Sequence, residues 1–252
     1  MKEEMRSVIY LGDIHGNFEW LKGEIKRRKI GNNKDITYLI QVGDFGIGFN
    51  PKTDLQTLLL LNKFFKLRNI VALIIHGNHD DPTFFKGNHM YSNLKLVEDY
   101  TTMDIFDRKY LFVGGAVSID RMYRIGSDRH ASQYGSHRES YWKDEIFVLD
   151  EEKLANITDI DVIITHSCPE YCYPDNRRGF GSFVDSFADN DILLHHDLTV
   201  ERTNITKMFD ILKKNGNNIK FHAYGHFHNT NISINGYTSH YLLNINEFRE
   251  LH

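Results

Sequence analysis

The sequence predicts an α/β fold, and three features of the chain indicate it. Short apolar runs rich in Ile, Val, Leu and Tyr alternate with helical spacing of apolar residues in the N-terminal third. Such alternation is typical of parallel strands joined by right-handed helical crossovers. Several of the apolar runs end close to glycine and to Asp, Asn or His. Because open α/β sheets bind ligands at the carboxyl ends of their strands, these polar residues indicate a functional site.

The individual elements follow from local residue patterns. Residues 8–11 are apolar and favour β structure, which predicts a buried strand. Asn17 can cap a helix that carries Phe18, Leu21 and Ile25 on one face. The later elements are predicted as strands at 36–42, 70–75, 94–97, 101–106, 110–113, 160–165 and 219–224, helices at 55–67 and 200–214, and a terminal hairpin around Asn235 and Gly236.

Two segments, 118–145 and 169–198, show little periodicity. Long irregular stretches inside a compact fold are mostly functional loops. No repeat, low-complexity tract or linker divides the chain. We therefore predict a single domain over residues 1–252. In this domain the two segments are cap loops inserted over one rim, the edge at which the strands end.

Composition and charge exclude several classes of protein. A hydrophobic content of 41% and a charged content of 25% are typical of a globular chain. The net charge of −4 argues against binding duplex DNA through electrostatics alone. No apolar run approaches the ~18 residues of a membrane span, and none follows the charged N-terminus as in a signal peptide. We therefore expect neither duplex DNA nor a membrane as a partner.

Cysteine usage indicates a reducing compartment. Cys168 and Cys172 are the only cysteines, so no disulfide framework is expected. We predict that both are reduced thiols and that the protein is cytoplasmic.

Residues that can bind metals follow five of the predicted strands. They are Asp13, His15, Asp44, Asn78, His79, Asp80, His166, His226 and His228. Oxygen and imidazole ligands without thiolates favour Mn, Fe, Zn, Co or Ni over a structural zinc–thiolate site. The set is large enough for two ions that share one carboxylate. The alternative is that these residues are polar turn residues that bind no metal. Four other histidines are expected not to be ligands: His76, His195, His196 and His222.

These motifs, in this order, resemble those of the calcineurin-like metallophosphoesterases. The resemblance rests on Gly12-Asp13-Ile14-His15-Gly16, Gly43-Asp44, Gly77-Asn78-His79-Asp80, the strand-end His166 and Gly225-His226-Phe227-His228. It implies a four-layer fold, in which a β-sandwich is flanked by α-helices and a two-metal centre lies at one edge. The implied cofactors are two divalent or trivalent ions among Mn, Fe, Zn, Ni and Co, with Mg disfavoured.

The resemblance also implies roles for single residues. The first metal would be held by Asp13, His15 and His228, and the second by Asn78, His166 and His226. Asp44 would bridge the two ions. Metal-bound hydroxide would then attack phosphorus in line. His79 would assist the leaving group as a catalytic residue, and Asp80 would hold His79 in the right tautomer.

The sequence departs from the protein serine/threonine phosphatase branch of this superfamily. Phe45 follows Asp44 where that branch has arginine, and Asp80 stands where it usually has glutamate. Both differences favour a small phosphoesterase of bacterial or phage type. Phosphate-binding cations are then expected in the two irregular segments, the alternative being solvated surface charges. The candidates are Arg121, Arg124, Arg177 and Arg178.

The sequence therefore predicts a dinuclear-metal phosphoesterase that hydrolyses a phosphate mono- or diester. One alternative is a nuclease or nucleotide phosphodiesterase, since a cationic, aromatic cap favours a nucleotide-like substrate. Another is a metal-binding protein-interaction scaffold with little catalysis. No obligate protein partner is predicted.

Overall fold

The computed structural model describes residues 7–31, 35–87, 91–135, 139–174 and 180–251. Its strands are β1 (Ser7–Leu11), β2 (Thr37–Gln41), β3 (Ile70–Ile74), β4 (Leu94–Leu96), β5 (Thr101–Ile105), β6 (Arg108–Val113), β7 (Val162–Thr165), β8 (Phe221–Tyr224), β9 (Asn231–Asn235), β10 (Thr238–Leu242) and β11 (Phe248–Arg249). Its α-helices are α1 (Phe18–Arg27), α2 (Pro51–Lys66), α3 (Arg121–Gln133), α4 (Glu151–Leu154), α5 (Phe180–Ala188) and α6 (Leu194–Lys214), and one 3-10 turn spans Pro82–Phe85.

The strands form two mostly parallel sheets. The first has the order β11-β1-β2-β3-β4, with only β11 antiparallel to its neighbour. The second has the order β5-β6-β7-β8-β10-β9, and its two edge strands are antiparallel. Within each sheet the parallel strands therefore end at a common edge, where the predicted site residues follow β1, β2, β3, β7 and β8.

Four layers result from the way apolar side chains alternate on the strands. Ile40 and Leu73 of the first sheet and Ile164 of the second lie in one buried cluster between the sheets. The outer face of the first sheet packs against α1 and α2, and the outer face of the second packs against α6. A hydrogen bond of 2.9 Å between the hydroxyls of Tyr10 and Tyr110 joins the two sheets inside the buried layer. The predicted sandwich flanked by helices is confirmed.

The structure differs from the sequence prediction mainly in the two segments expected to be irregular. Residues 121–133 form α3, and the second segment contains α5 and the beginning of α6. The only buried residue of α3 is Arg124, so this helix lacks the apolar stripe from which helices are predicted. The short elements α4 and β11 were also not predicted, because a few residues cannot show a period.

No helix in the described ranges is both long and apolar enough to span a bilayer. The longest of these helices, α6, has 21 residues and carries charged side chains along its length. A helix of this kind packs one face on a core and leaves the other in water.

Truncation of Ile164 tests the importance of the layer between the sheets. Ile164 is fully buried there, so Ile164→Ala is expected to lower the free energy of unfolding by ~2–5 kcal/mol. Ile234 lies in the same sheet but its side chain is 74% exposed, and Ile234→Ala should change that free energy by less than ~0.5 kcal/mol. Urea unfolding followed by circular dichroism measures both. Equal losses in the two variants would contradict the assigned layer.

Candidate metal centre

The predicted ligand residues occupy turns directly after the strands, and four of them have left-handed backbones. The φ angles are 44° at His15, 54° at Asp44, 69° at His226 and 46° at His228. Such values are uncommon outside glycine and gather at functional sites. These turns aim the side chains at one rim, where the ends of both sheets meet.

Two glycines leave the space that the rim carboxylates occupy. A Cβ on Gly77 would lie 2.1 Å from Oδ1 of Asp44, and a Cβ on Gly225 would lie 2.2 Å from Oδ1 of Asp13. Both distances are far below van der Waals contact. Any other residue at these positions would therefore displace a predicted ligand.

The first group of potential ligands contains Asp13, His15, Asp44 and His228. One potential ligand atom of each lies within 4.8 Å of the others. The Nε2 atoms of His15 and His228 are 3.1 Å apart, and Nε2 of His228 is 3.4 Å from Oδ2 of Asp13. Oδ1 of Asp13 is buried and has no hydrogen-bond partner among the described residues. A buried carboxylate oxygen without a partner is costly, and a cation at this position would satisfy it.

The second group is arranged around His166. Its Nδ1 donates a hydrogen bond of 2.7 Å to the carbonyl oxygen of Val42, which directs the Nε2 atom toward the rim. Nε2 lies 3.1 Å from Oδ1 of Asn78 and 3.2 Å from Oδ1 of Asp44. The His226 ring is close, with its centroid 5.1 Å from that of His166. Three potential acceptors thus face one another, an arrangement that requires a proton or a cation between them.

Asp44 belongs to both groups. Its Oδ2 atom lies 3.8 Å from Nδ1 of His15, whereas its Oδ1 atom faces His166 and accepts the backbone N–H of His79 at 2.7 Å. The side chain is almost completely buried. Its two oxygens therefore face the two groups separately.

The charges of the buried groups show that the rim favours a positive charge. Burial opposes ionisation of His166, but the neighbouring Asp44 outweighs it and raises the pKa of His166 to about 10. Burial likewise opposes ionisation of Asp44, and its histidine neighbours nevertheless hold the pKa of Asp44 well below its usual range. Burial lowers the pKa of His226 well below its ordinary value, so this ring is neutral and offers a lone pair. The donor set therefore fits cations that take oxygen and imidazole ligands.

His79 lies on the rim, whereas the carboxylate of Asp80 is bonded to backbone groups. The His79 ring packs edge-on against His15 at a centroid distance of 5.2 Å, and burial lowers the pKa of His79. The carboxylate of Asp80 instead accepts four backbone N–H groups, those of Phe45, Gly46, Ile47 and Gly77, at 2.6–3.1 Å. Its oxygens are thereby occupied, and no hydrogen bond joins it to His79 within the described part of the chain. These contacts place Asp80 under the loop after Asp44, and its role as partner of His79 stays a prediction.

The two predicted substrate arginines that the structure describes are both engaged by carboxylates. Arg121 forms ion pairs with Asp191 and, at 2.7 Å, with Asp197. Arg124 is 5% exposed and pairs with Glu145 at 3.2 Å. Neither guanidinium is a free cation facing the rim. Arg177 and Arg178 lie outside the described residues.

A buried network behind Asn78 was not predicted from the sequence. Nδ2 of Asn78 donates to Oγ of Ser118 at 2.9 Å, and Ser118 in turn donates to Glu145. Arg124 donates to Ser118 and, at 2.9 Å, to the backbone carbonyl oxygen of Asn78. Burial raises the pKa of Glu145 to about 7. The network orients the Asn78 amide so that its oxygen faces His166, and no motif marks its members because they are distant in sequence.

The solved structures that match this chain have low sequence identity to it. A candidate 5′-nucleotidase from Staphylococcus aureus is 15% identical with a TM-score of 0.48, and the match covers 95% of this chain and 48% of that one. A phosphopantetheinyl hydrolase from Mycobacterium tuberculosis is 10% identical with a TM-score of 0.44, covering 96% and 90%. An anchor protein of the inner membrane complex of Plasmodium is 13% identical with a TM-score of 0.42, covering 94% and 70%. The chain thus spans about half the length of the nucleotidase.

The family can be identified from the sequence itself. No curated protein sequence matches the chain. The sequence profile of the calcineurin-like phosphoesterases matches residues 6–230, a range that contains every predicted metal ligand. The chain therefore belongs to the calcineurin-like phosphoesterase family and is a metal-dependent phosphoester hydrolase.

Proposed function

We propose that this protein hydrolyses a phosphate mono- or diester at a dinuclear metal centre on the rim, within a single domain over residues 1–252. The proposed ligands are Asp13, His15 and His228 for one ion, Asn78, His166 and His226 for the other, and Asp44 for both. When bound, the two cations would polarise the phosphoryl group and lower the pKa of a water molecule.

The position of Asp44 supports two ions rather than one. Its Oδ2 atom faces His15, while its Oδ1 atom lies 3.2 Å from Nε2 of His166. A single ion in either group would leave the acceptors of the other group dependent on a protonated imidazole, as at His166, whose pKa Asp44 raises to about 10. A buried imidazolium carries its own desolvation cost. A carboxylate shared by two cations satisfies both groups.

His79 is the chain's own group for the leaving oxygen. Its backbone N–H donates to Oδ1 of Asp44 at 2.7 Å, which fixes the residue beside the ligands. Its ring lies against His15 at the rim. An imidazole in this position can stabilise the oxygen of the departing group through a hydrogen bond from a ring N–H, and it can transfer a proton when the ring is protonated. No protein nucleophile is required, because water is the attacking group in a hydrolysis.

Parallel assays of simple esters test whether the protein hydrolyses phosphate esters and whether it prefers monoesters or diesters. The metal-stripped protein is refilled with Mn, Ni, Co, Zn or Mg and assayed on p-nitrophenyl phosphate, bis-p-nitrophenyl phosphate and the p-nitrophenyl ester of thymidine monophosphate. The preferred ester separates a monoesterase from a diesterase, and a preference for the thymidine ester would indicate a nucleotide-like substrate. The absence of turnover with every metal would contradict the proposed function in favour of a scaffold.

Removal of the shared carboxylate should remove both activity and metal. Asp44→Asn leaves one oxygen acceptor and no negative charge, so kcat/KM should fall at least ~100-fold. After dialysis the variant should have lost about two metal equivalents relative to the wild type, measured by elemental analysis. Asp161→Asn is the matched control, since this aspartate pairs with Lys220 just before β7, at the end of the strand opposite to the rim. Full metal content in Asp44→Asn would exclude the shared role.

Removal of the His79 ring should separate catalysis from metal binding. His79→Ala is expected to lower kcat by ~10²–10⁴-fold on esters with a poor leaving group, because the departing oxygen then takes its proton from water. Bound metal should stay at the wild-type level. His195→Ala, at an exposed histidine beside Asp185, should leave both quantities unchanged. Loss of metal together with activity in His79→Ala would instead make His79 a ligand.

Replacement of Asp80 distinguishes its loop contacts from a role in orienting His79. An asparagine can accept hydrogen bonds at one oxygen only, so Asp80→Asn should lower the free energy of unfolding by ~1–3 kcal/mol. Asp104→Asn, on the exposed side of β5, should leave stability unchanged. Thermal and urea unfolding measure the difference. A loss of kcat without a loss of stability would support the orienting role that the sequence predicted.

A further inference from the structure

A second group of possible metal ligands lies in the interior, under α6, and shares no residue with the rim. His222 of β8 and His240 of β10 are direct partners in the sheet register. Their side chains are 0% and 1% exposed. Phe209 of α6 contacts both rings, with centroid distances of 5.1 Å and 5.8 Å. Both histidines therefore point away from the layer between the sheets and toward the helix.

The hydrogen bonds around His222 and His240 determine which ring nitrogens carry a proton and which carry a lone pair. Oγ1 of Thr165 donates to the carbonyl oxygen of Ser167 at 2.5 Å, so it accepts the proton on Nε2 of His222 at 2.7 Å. Nδ1 of His222 then carries a lone pair, and it lies 2.9 Å from Nδ1 of His240. The two rings share one proton between these atoms. Nε2 of His240 is buried without a hydrogen-bond partner in the ranges that the structure describes.

Cys172 supplies a thiol to the same place. One ligand atom each of Cys172, His222 and His240 lies within 4.8 Å of the others, and all three residues are buried. The loop that carries the cysteine is fixed by Arg202 of α6. The guanidinium of Arg202 donates to the carbonyl oxygens of Pro169, Glu170 and Cys172 at 3.1, 3.2 and 2.8 Å. These hydrogen bonds connect the loop that carries the thiol to α6, beside the histidine pair.

The charge states of these residues suit a cation. Burial lowers the pKa of His222 well below its ordinary value and that of His240 to about 4, so both rings are neutral at neutral pH. Burial, reinforced by the neighbouring Cys168, raises the pKa of the Cys172 thiol. Thiolates form when a metal ion displaces the proton. A divalent ion would release one proton from Cys172, while each imidazole keeps its single proton on the nitrogen that does not bind.

We propose that Cys172, His222 and His240 form a second metal site, structural in role and specific for zinc or a similar thiolate-preferring divalent cation. One thiolate and two imidazoles suit zinc, whereas magnesium and manganese prefer oxygen ligands. The ion would join the loop after β7 to β8 and β10. His222, which the sequence analysis placed among the non-ligands, is reassigned as a ligand. The proposal does not depend on the dinuclear centre.

Cobalt substitution distinguishes this site from the rim. The proposed rim ligands are oxygen and nitrogen atoms, so only the second site can give a thiolate-to-cobalt charge-transfer band in the near ultraviolet. The full-length protein reconstituted with Co²⁺ should show this band, and Asp44→Asn should keep it. Cys172→Ser should abolish it and should lower the zinc content by about one equivalent. His240→Gln should weaken it strongly.

Cys168→Ser is the matched control for the thiol. Cys168 is also buried, and its Sγ donates to the carbonyl oxygen of Tyr173 at 3.4 Å, but it lies outside the three-residue group. The Cys168→Ser variant should keep both the charge-transfer band and the zinc content of the wild type. Absence of the band in the wild type, its persistence in Cys172→Ser, or its loss in Cys168→Ser would each overturn the proposed ligand set.

A measurement on the wild type alone covers the case in which Cys172→Ser fails to fold. The zinc-loaded protein is dialysed against a weak chelator that empties the rim, and zinc K-edge absorption is recorded on the zinc that remains. The proposal predicts one sulfur scatterer at ~2.3 Å together with nitrogen scatterers at ~2.0–2.1 Å. A spectrum with no sulfur contribution, or no retained zinc, would refute it.

Discussion

The burial of negative charge at the rim is the constraint on which the rest of the site depends. Asp13 and Asp44 are almost completely buried at the ends of β1 and β2. An unpaired ionised carboxylate in such surroundings costs several kcal/mol, so the fold must provide positive charge or hydrogen bonds. Imidazoles that follow strands of both sheets provide part of this positive charge. Asp44 accordingly raises the pKa of His166. The missing side chains of Gly77 and Gly225 keep this space open.

Much of this arrangement could be predicted from the sequence, because strand ends and metal ligands have local signals. Asp13, Asp44 and His166 each follow a recognisable apolar run, and parallel strands bring their ends together. The backbone contacts of Asp80 could not be predicted, because its four amide donors come from backbone groups that carry no sequence signature. Arg124 was placed in a loop, since a helix whose single buried residue is a guanidinium shows no apolar period.

The pairing of charges in the helices near the rim limits what can bind substrate. Arg121 forms ion pairs with Asp191 and Asp197, and Arg124 forms one with Glu145. These partners lie far from the arginines in the sequence. Arg124 and Glu145 form a buried pair, and removal of either partner would leave a lone buried charge, which is worse. The phosphoester hydrolase activity of the family is therefore compatible with a structural role for Arg121 and Arg124, in which neither arginine binds the phosphate. Arg124 contacts the backbone of Asn78 and so supports a proposed ligand from behind.

The left-handed backbones at the rim have a consequence for how this centre could evolve or be redesigned. His15, Asp44, His226 and His228 all have positive φ values, a conformation that among residues with a side chain is enriched in Asn, Asp and His. These same three residue types supply oxygen and nitrogen ligands for metals. Exchanges among them can alter metal preference without disturbing the turn. Exchanges to valine or isoleucine would lose the ligand and the local conformation in one step, so such variants should be rare among natural homologues.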